Sequence, residues 1–119
     1  MKKLMKKIQI ALMVAALTIG VSSIQAQDVK ADAKANFEKL CAGCHGKDGK
    51  GDTKLGQKLE ARDYTDAKVQ STLKEEEMFK AIKEGLKKGD KVLMKPYSDK
   101  FTDAQIKALV AHIKAFGKK

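Results

Sequence analysis

Two thiols three positions apart, with an imidazole directly after the second, are the side chains best placed to do chemistry: Cys41-Ala42-Gly43-Cys44-His45. This is the attachment signature of a covalently held haem. Residues three apart on a helical turn share a face. Cys41 and Cys44 can therefore each bond a vinyl group on one side of a porphyrin, and His45 can turn under the ring to ligate iron. Two other chemistries use part of the pattern. A redox dithiol of the thioredoxin kind needs a βαβ setting, and nothing near Cys41 reads as a strand. A structural zinc site needs four ligands, and the chain holds no further cysteine and one other histidine, His112. The motif predicts one haem c, with a haem-free thiol oxidoreductase as the alternative.

The second axial ligand has five methionine candidates. Met1, Met5 and Met13 belong to a leader, and Met78 falls in the apolar stripe of a helix. Met94 sits in Met94-Lys95-Pro96-Tyr97, where Pro96 fixes its own φ and keeps Lys95 out of the helical region. An extended, stiffened segment suits a soft thioether ligand, and Met/His ligation raises the reduction potential. His112 is the other option, read instead as a partly exposed helix residue. Arg62 is the only arginine beside 24 lysines. Its planar fork suits a bidentate grip on a carboxylate such as a haem propionate, against the plainer reading of a solvated loop residue.

These residues need elements to position them. Ala33, Phe37, Leu40 and Cys41 fall at helical spacing and predict a first helix from about Ala31 to Cys44. Phe37 is its one large apolar residue and is expected to pack on another helix. Gly46 to Asp52 reads as a glycine-rich loop passing close beneath a porphyrin. It lacks the preceding strand and the Lys-Ser/Thr ending of a phosphate loop. Leu55, Leu59 and Tyr64 are candidate contacts at the porphyrin edge. Thr72 with Glu75 fits a capping box opening a helix that carries Met78, Phe79 and Ile82 and stops at Gly85. Residues 86–99 read as mostly loop. Thr102 with Gln105 is a second capping box, opening a helix striped by Ile106, Leu109, Val110, Ile113 and Phe116.

The chain begins with a basic stretch holding Lys2, Lys3, Lys6 and Lys7, an apolar run from Ile8 to Val21, and Ser22-Ser23-Ile24-Gln25-Ala26. That order reads as a signal peptide, residues 1–26, ahead of a single domain at 27–119. The run is short for a membrane span, and an uncleaved N-terminal anchor is the alternative. A domain this small buries a thin core and gains from a covalent staple. The net charge is +10. With an exported chain and no base-reading motif, that surplus points away from nucleic acid and towards an acidic docking face on a protein partner.

Cys41–His45, the Met94–Tyr97 segment and the closing helix together make nearly all of the mature part resemble the class I monohaem cytochromes c of bacteria. The resemblance implies an all-α fold, three to five helices wrapped round one covalently attached haem. It also implies haem attachment outside the cytoplasmic membrane, hence the periplasm. It implies a helix crossing in which Phe37 is one partner and His112 stands where a second aromatic is usual. Ala33 stands where the family often has glycine, and the loop after His45 lacks the family's proline. A backbone carbonyl between Gly51 and Leu59 is expected to accept the second N–H of His45. The expected function is that of a monomeric electron carrier, not an enzyme, serving membrane or periplasmic redox proteins. The competing class is a haem-based peroxidase or gas sensor acting after Met94 dissociates.

Overall fold

The computed structural model describes residues 32–118. The leader at 1–26, with Met1, Met5 and Met13, lies outside them. Helix α1 occupies residues 32–45, in agreement with the first expected helix. Ala33 and Phe37, one turn apart, are buried. From Phe37 to Cys41 the helix widens to a π-turn, closed by the Ala42 N–H donating to the Phe37 carbonyl. It then returns to α geometry over Ala42–His45. Single π-turns of this kind gather at functional sites.

Two short helices follow the glycine loop. The first, α2 (Lys54–Lys58), is capped by Thr53, whose Oγ1 accepts from the Gly56 N–H at 2.9 Å. The second, α3 (Ala67–Thr72), is capped by Asp66, which accepts from Lys68 N–H at 2.7 Å. The capping box expected at Thr72 and Glu75 does not form. Asp66 starts a helix earlier, Thr72 ends it, and the Thr72 hydroxyl donates back to the Val69 carbonyl. Leu73 and Lys74 are extended, and α4 (Glu75–Glu84) begins without a side-chain cap. Three glutamates in its first turn complement the helix dipole. Gly85 ends α4 as expected, with φ 81°.

The segment read as loop contains an antiparallel hairpin, so the fold is not purely helical. Strands β1 (Leu86–Lys88) and β2 (Lys91–Met94) pair Leu86 with Met94, Lys87 with Val92 and Lys88 with Lys91. A bulge lies between Leu86 and Lys87. The two residues between the strands are Gly89-Asp90, a composition suited to a tight hairpin turn. Helix α5 (Asp103–Ala115) carries the expected capping box, with Thr102 and Gln105 bonding reciprocally, and runs into a 3₁₀ turn at Phe116–Lys118.

The core is the meeting of α1, α4 and α5. Phe37, Ile106 and Leu109 are wholly buried, with Met78, Ile82, Val110, Ile113 and Phe116 around them. The Phe37 ring lies 5.0 Å from the His112 ring and 5.3 Å from that of Phe116. The aromatic pairing of first and last helices is therefore present, shared between His112 and Phe116. The glycine loop does a different job from the one expected. Gly49 packs against the Phe116 ring, and Gly51 against the Ala61 and Arg62 carbonyls. Neither borders the cavity described next. Among the described residues no helix is long and apolar enough to cross a membrane.

A cavity lined by the Cys41–His45 motif and Met94

A cavity of about 740 Å³ opens beside the core, a size usual for cofactor sites. Helix α1 lines it with Phe37, Leu40, Cys41, Cys44 and His45. Helix α4 contributes Met78, Ala81 and Ile82, α5 contributes Leu109 and Ile113, and the hairpin brings Leu86, Val92 and Met94. Leu55, Leu59 and Tyr64 line it as expected, and Arg62 borders it as an exposed residue. The structure thus gathers Cys41, Cys44, His45, Met94 and Arg62 at one cavity. Met78 joins them, so two thioethers border the space. His112 does not; its ring packs between Phe37 and Phe116.

The end of α1 is held by a complete set of bonds. The last four carbonyls of a helix have no partner within it. Here Gly46 N–H donates to the Ala42 carbonyl and Gly51 N–H to the His45 carbonyl, both at 2.8 Å. The Thr53 hydroxyl lies 2.9 Å from the Gly43 carbonyl and 2.8 Å from that of Cys44. The backbone of α2 presses close as well: a Cβ on Gly56 would collide with the Cys44 carbonyl oxygen.

His45 sits in this clamp. Burial holds its pKa below the ordinary value, favouring the neutral imidazole that ligates metals. Tyr64 stacks against it with ring centroids 5.2 Å apart. Nδ1 of His45 is buried and has no hydrogen-bond partner, so the expected loop carbonyl does not accept from it. The carbonyls of Thr53, Leu55 and Gly56 accept instead from the Gln57, Leu59 and Ala61 N–H groups. Burial, then the neighbouring Cys44, pushes the Cys41 thiol up to about 11. A thiol held protonated at neutral pH is a poor redox nucleophile, so Cys41 is not primed for that role.

The Met94 side is organised by Tyr97. Its hydroxyl donates to the Leu40 carbonyl, next to Cys41, at 3.2 Å, and its N–H donates to the Ile82 carbonyl at 2.9 Å. One residue thereby ties the segment after Met94 to both α1 and α4. Gly85 backs the same segment: a Cβ there would lie 2.6 Å from the Met94 carbonyl and 2.9 Å from Pro96 N. At the rim, Lys88 pairs with Glu60 at 3.2 Å and Lys91 donates to the Lys58 carbonyl at 3.2 Å.

Sequence reasoning missed Thr53, Gly56 and Tyr97 as supports of the site. Thr53 carries a readable signal, a capping residue ahead of a short helix. Gly56 and Tyr97 act through contacts remote in sequence and carry none.

An apolar cavity, two thiols on one helix face, a neutral imidazole with an unsatisfied nitrogen and a nearby thioether form a donor set suited to haem. The arrangement is a cytochrome c-type fold. Residues 28–113 match the family described as cytochrome C oxidase, cbb3-type, subunit III, and the chain belongs to this monohaem cytochrome c family. Among solved structures it is similar to the KustC0563 c-type cytochrome, at 33% identity and a TM-score of 0.63 over 71% of this chain and 95% of that one. A tyrosine-to-phenylalanine mutant of that cytochrome is similar at 35% identity and a TM-score of 0.63, over 71% and 98%. No curated protein matches. Membership implies haem c and a part in electron transfer.

Proposed function

We propose that the protein is a soluble, exported electron carrier holding one haem c, with Cys41 and Cys44 bonded to the ring and His45 and Met94 as axial ligands. The observation that carries this is the convergence of all four side chains on one apolar cavity. The bound haem supplies a one-electron Fe(II)/Fe(III) couple. The chain's own part is to hold, exclude and steer. Thioether bonds from Cys41 and Cys44 keep the group in place when an axial ligand lets go. Phe37, Leu109 and Ile113 line the cavity with apolar surface and keep water out. His45, neutral and clamped at the end of α1, offers its nitrogen without first losing a proton. Met94 fills the remaining position with a weak sulfur donor that favours the reduced state. With both positions taken, electrons pass without substrate binding, which favours a carrier over a peroxidase or gas sensor.

Met94 is preferred to Met78 because Met78 is a buried member of the α4 stripe and 8% exposed, whereas Met94 is only partly buried on an extended strand. Arg62, exposed at the cavity edge, is placed to pair with a propionate. The leader directs the chain to the periplasm. Leu55, Leu86 and Val92 are exposed at the cavity mouth, with Lys54, Lys87 and Lys91 nearby in sequence. Such a surface suits an acidic-faced membrane or periplasmic redox partner, and the electron-transfer rate should fall as salt rises. A flat salt response removes the steering argument.

Absorption spectra in both redox states, with the intact mass of the exported protein, test the reading. A Soret band and a mass increased by one haem on a chain starting at Gln27 support it. A colourless protein of bare polypeptide mass ends it. Met94→Ala is expected to keep the haem, lose the sulfur-ligated spectrum and lower the potential; an unchanged spectrum reassigns the ligand to Met78.

A further inference from the structure

We infer that Thr53 is a positioning residue for the proximal iron ligand, acting through the carbonyls at the end of α1. The inference rests on the reading of His45 as that ligand. A threonine hydroxyl has one proton and two lone pairs, and here the proton and one lone pair are engaged. The proton faces the Gly43 and Cys44 carbonyls at 2.9 and 2.8 Å, and the oxygen accepts from the Gly56 N–H at 2.9 Å. The two outer carbonyls of the same turn are taken by Gly46 and Gly51 N–H groups. No other side chain bonds this turn among the described residues. Thr53 therefore joins the motif helix to α2, and Gly56 lets the two backbones approach closely enough for it to do so.

The hydroxyl has a second, electrostatic effect. The C-terminal carbonyls of a helix carry its negative pole, about half an elementary charge. A donor on the Gly43 and Cys44 carbonyls offsets part of that charge one residue from the iron ligand. Removing the donor leaves the negative pole less compensated, which favours Fe(III). The reduction potential must then fall. A role confined to capping α2 would change stability and leave the potential alone.

The test uses the haem-loaded protein with Thr53→Val, which keeps the shape and removes the hydroxyl, and Thr53→Ser, which keeps the hydroxyl. Potential and amide exchange are measured on each. The Val variant is expected to retain one haem by mass, to show a lower potential, and to exchange its Gly56 amide roughly tenfold faster, the loss of one part-buried hydrogen bond. The Ser variant should restore both readings. A Val variant with the wild-type potential overturns the inference, as does a Ser variant that fails to restore it. If the Val protein does not accumulate, Thr53→Ala in the haem-loaded protein decides by the same reading: a lowered potential supports the inference, and a wild-type potential overturns it. Wild-type protein lacking haem overturns the site reading instead, which separates the two failures.

Discussion

The two sides of the cavity are built on different terms. On the His45 side, the four terminal carbonyls of α1 each receive a hydrogen bond, and the α2 backbone packs directly against Cys44. On the Met94 side, the candidate ligand ends a two-stranded hairpin whose other residues are largely exposed. That hairpin is held by Tyr97, by Gly85 and by two exposed lysine contacts at the rim. The lesson is that the site is firmly held where it carries the Cys41–His45 motif and lightly held where it carries the Met94 thioether. Perturbations should therefore release Met94 well before they disturb His45.

Changes that break or sharpen this contrast fall in a clear order. The largest effect is expected from Gly56→Ala, because its Cβ collides with the backbone carbonyl of Cys44, which has no room to yield. We expect a loss of several kcal/mol, on the scale of about 3 or more reached by severe packing faults, with little haem-loaded protein recovered on purification. Gly85→Ala comes next, combining a left-handed φ of 81° with contact on the Met94 carbonyl. It should cost about 1–3 kcal/mol, and in the oxidised spectrum the sulfur ligand should be lost while histidine ligation persists. Histidine loss first would reverse the proposed order.

Tyr97→Phe removes the hydroxyl bond to Leu40 and keeps the buried ring. Thermal unfolding should report a loss of about 0.5–1.5 kcal/mol, and added imidazole should displace Met94 more readily. Lys88→Gln removes an ion pair whose side chains are 69% and 54% exposed, and should change stability by less than about 1 kcal/mol. Smallest of all is an acid-limb effect at Asp63. Hydrogen bonds from the Thr65 hydroxyl and N–H hold its carboxyl below the ordinary value. A lowered folded pKa contributes stability above the unfolded value, and that contribution is lost as pH falls through the folded one. Asp63→Asn should therefore lower stability slightly at neutral pH, leave it nearly unchanged at low pH, and so flatten the acid limb of the stability curve.

Much of the site was legible because its signals are local. Cys41–His45 lies on one helical turn, Thr102 and Gln105 are three apart, and the α5 stripe follows the helical period. The hairpin was obscured because β1 and β2 span only a few lysine-rich residues, so no alternation of apolar and polar positions stands out. Its Gly89-Asp90 turn was the available cue. Helix α3 went unread and α4 was given the wrong cap because Ser71-Thr72 looks like a cap, while Asp66, the residue that caps α3, precedes a weakly apolar run. The contacts of Tyr97 with Leu40, and of Thr53 with Gly43 and Cys44, are tertiary. No pattern within either segment encodes them.

The π-turn between Phe37 and Cys41 has a consequence for how the first helix tolerates change. One extra residue in a turn rotates everything downstream by about 100° relative to what lies upstream, given 3.6 residues per regular turn. It sets the phase between the end that grips α5 through Phe37 and the end that presents the thiols. Deleting Lys39 would yield a more regular cylinder with a mis-set gear: either Phe37 leaves its socket, or both sulfurs swing away from the cavity.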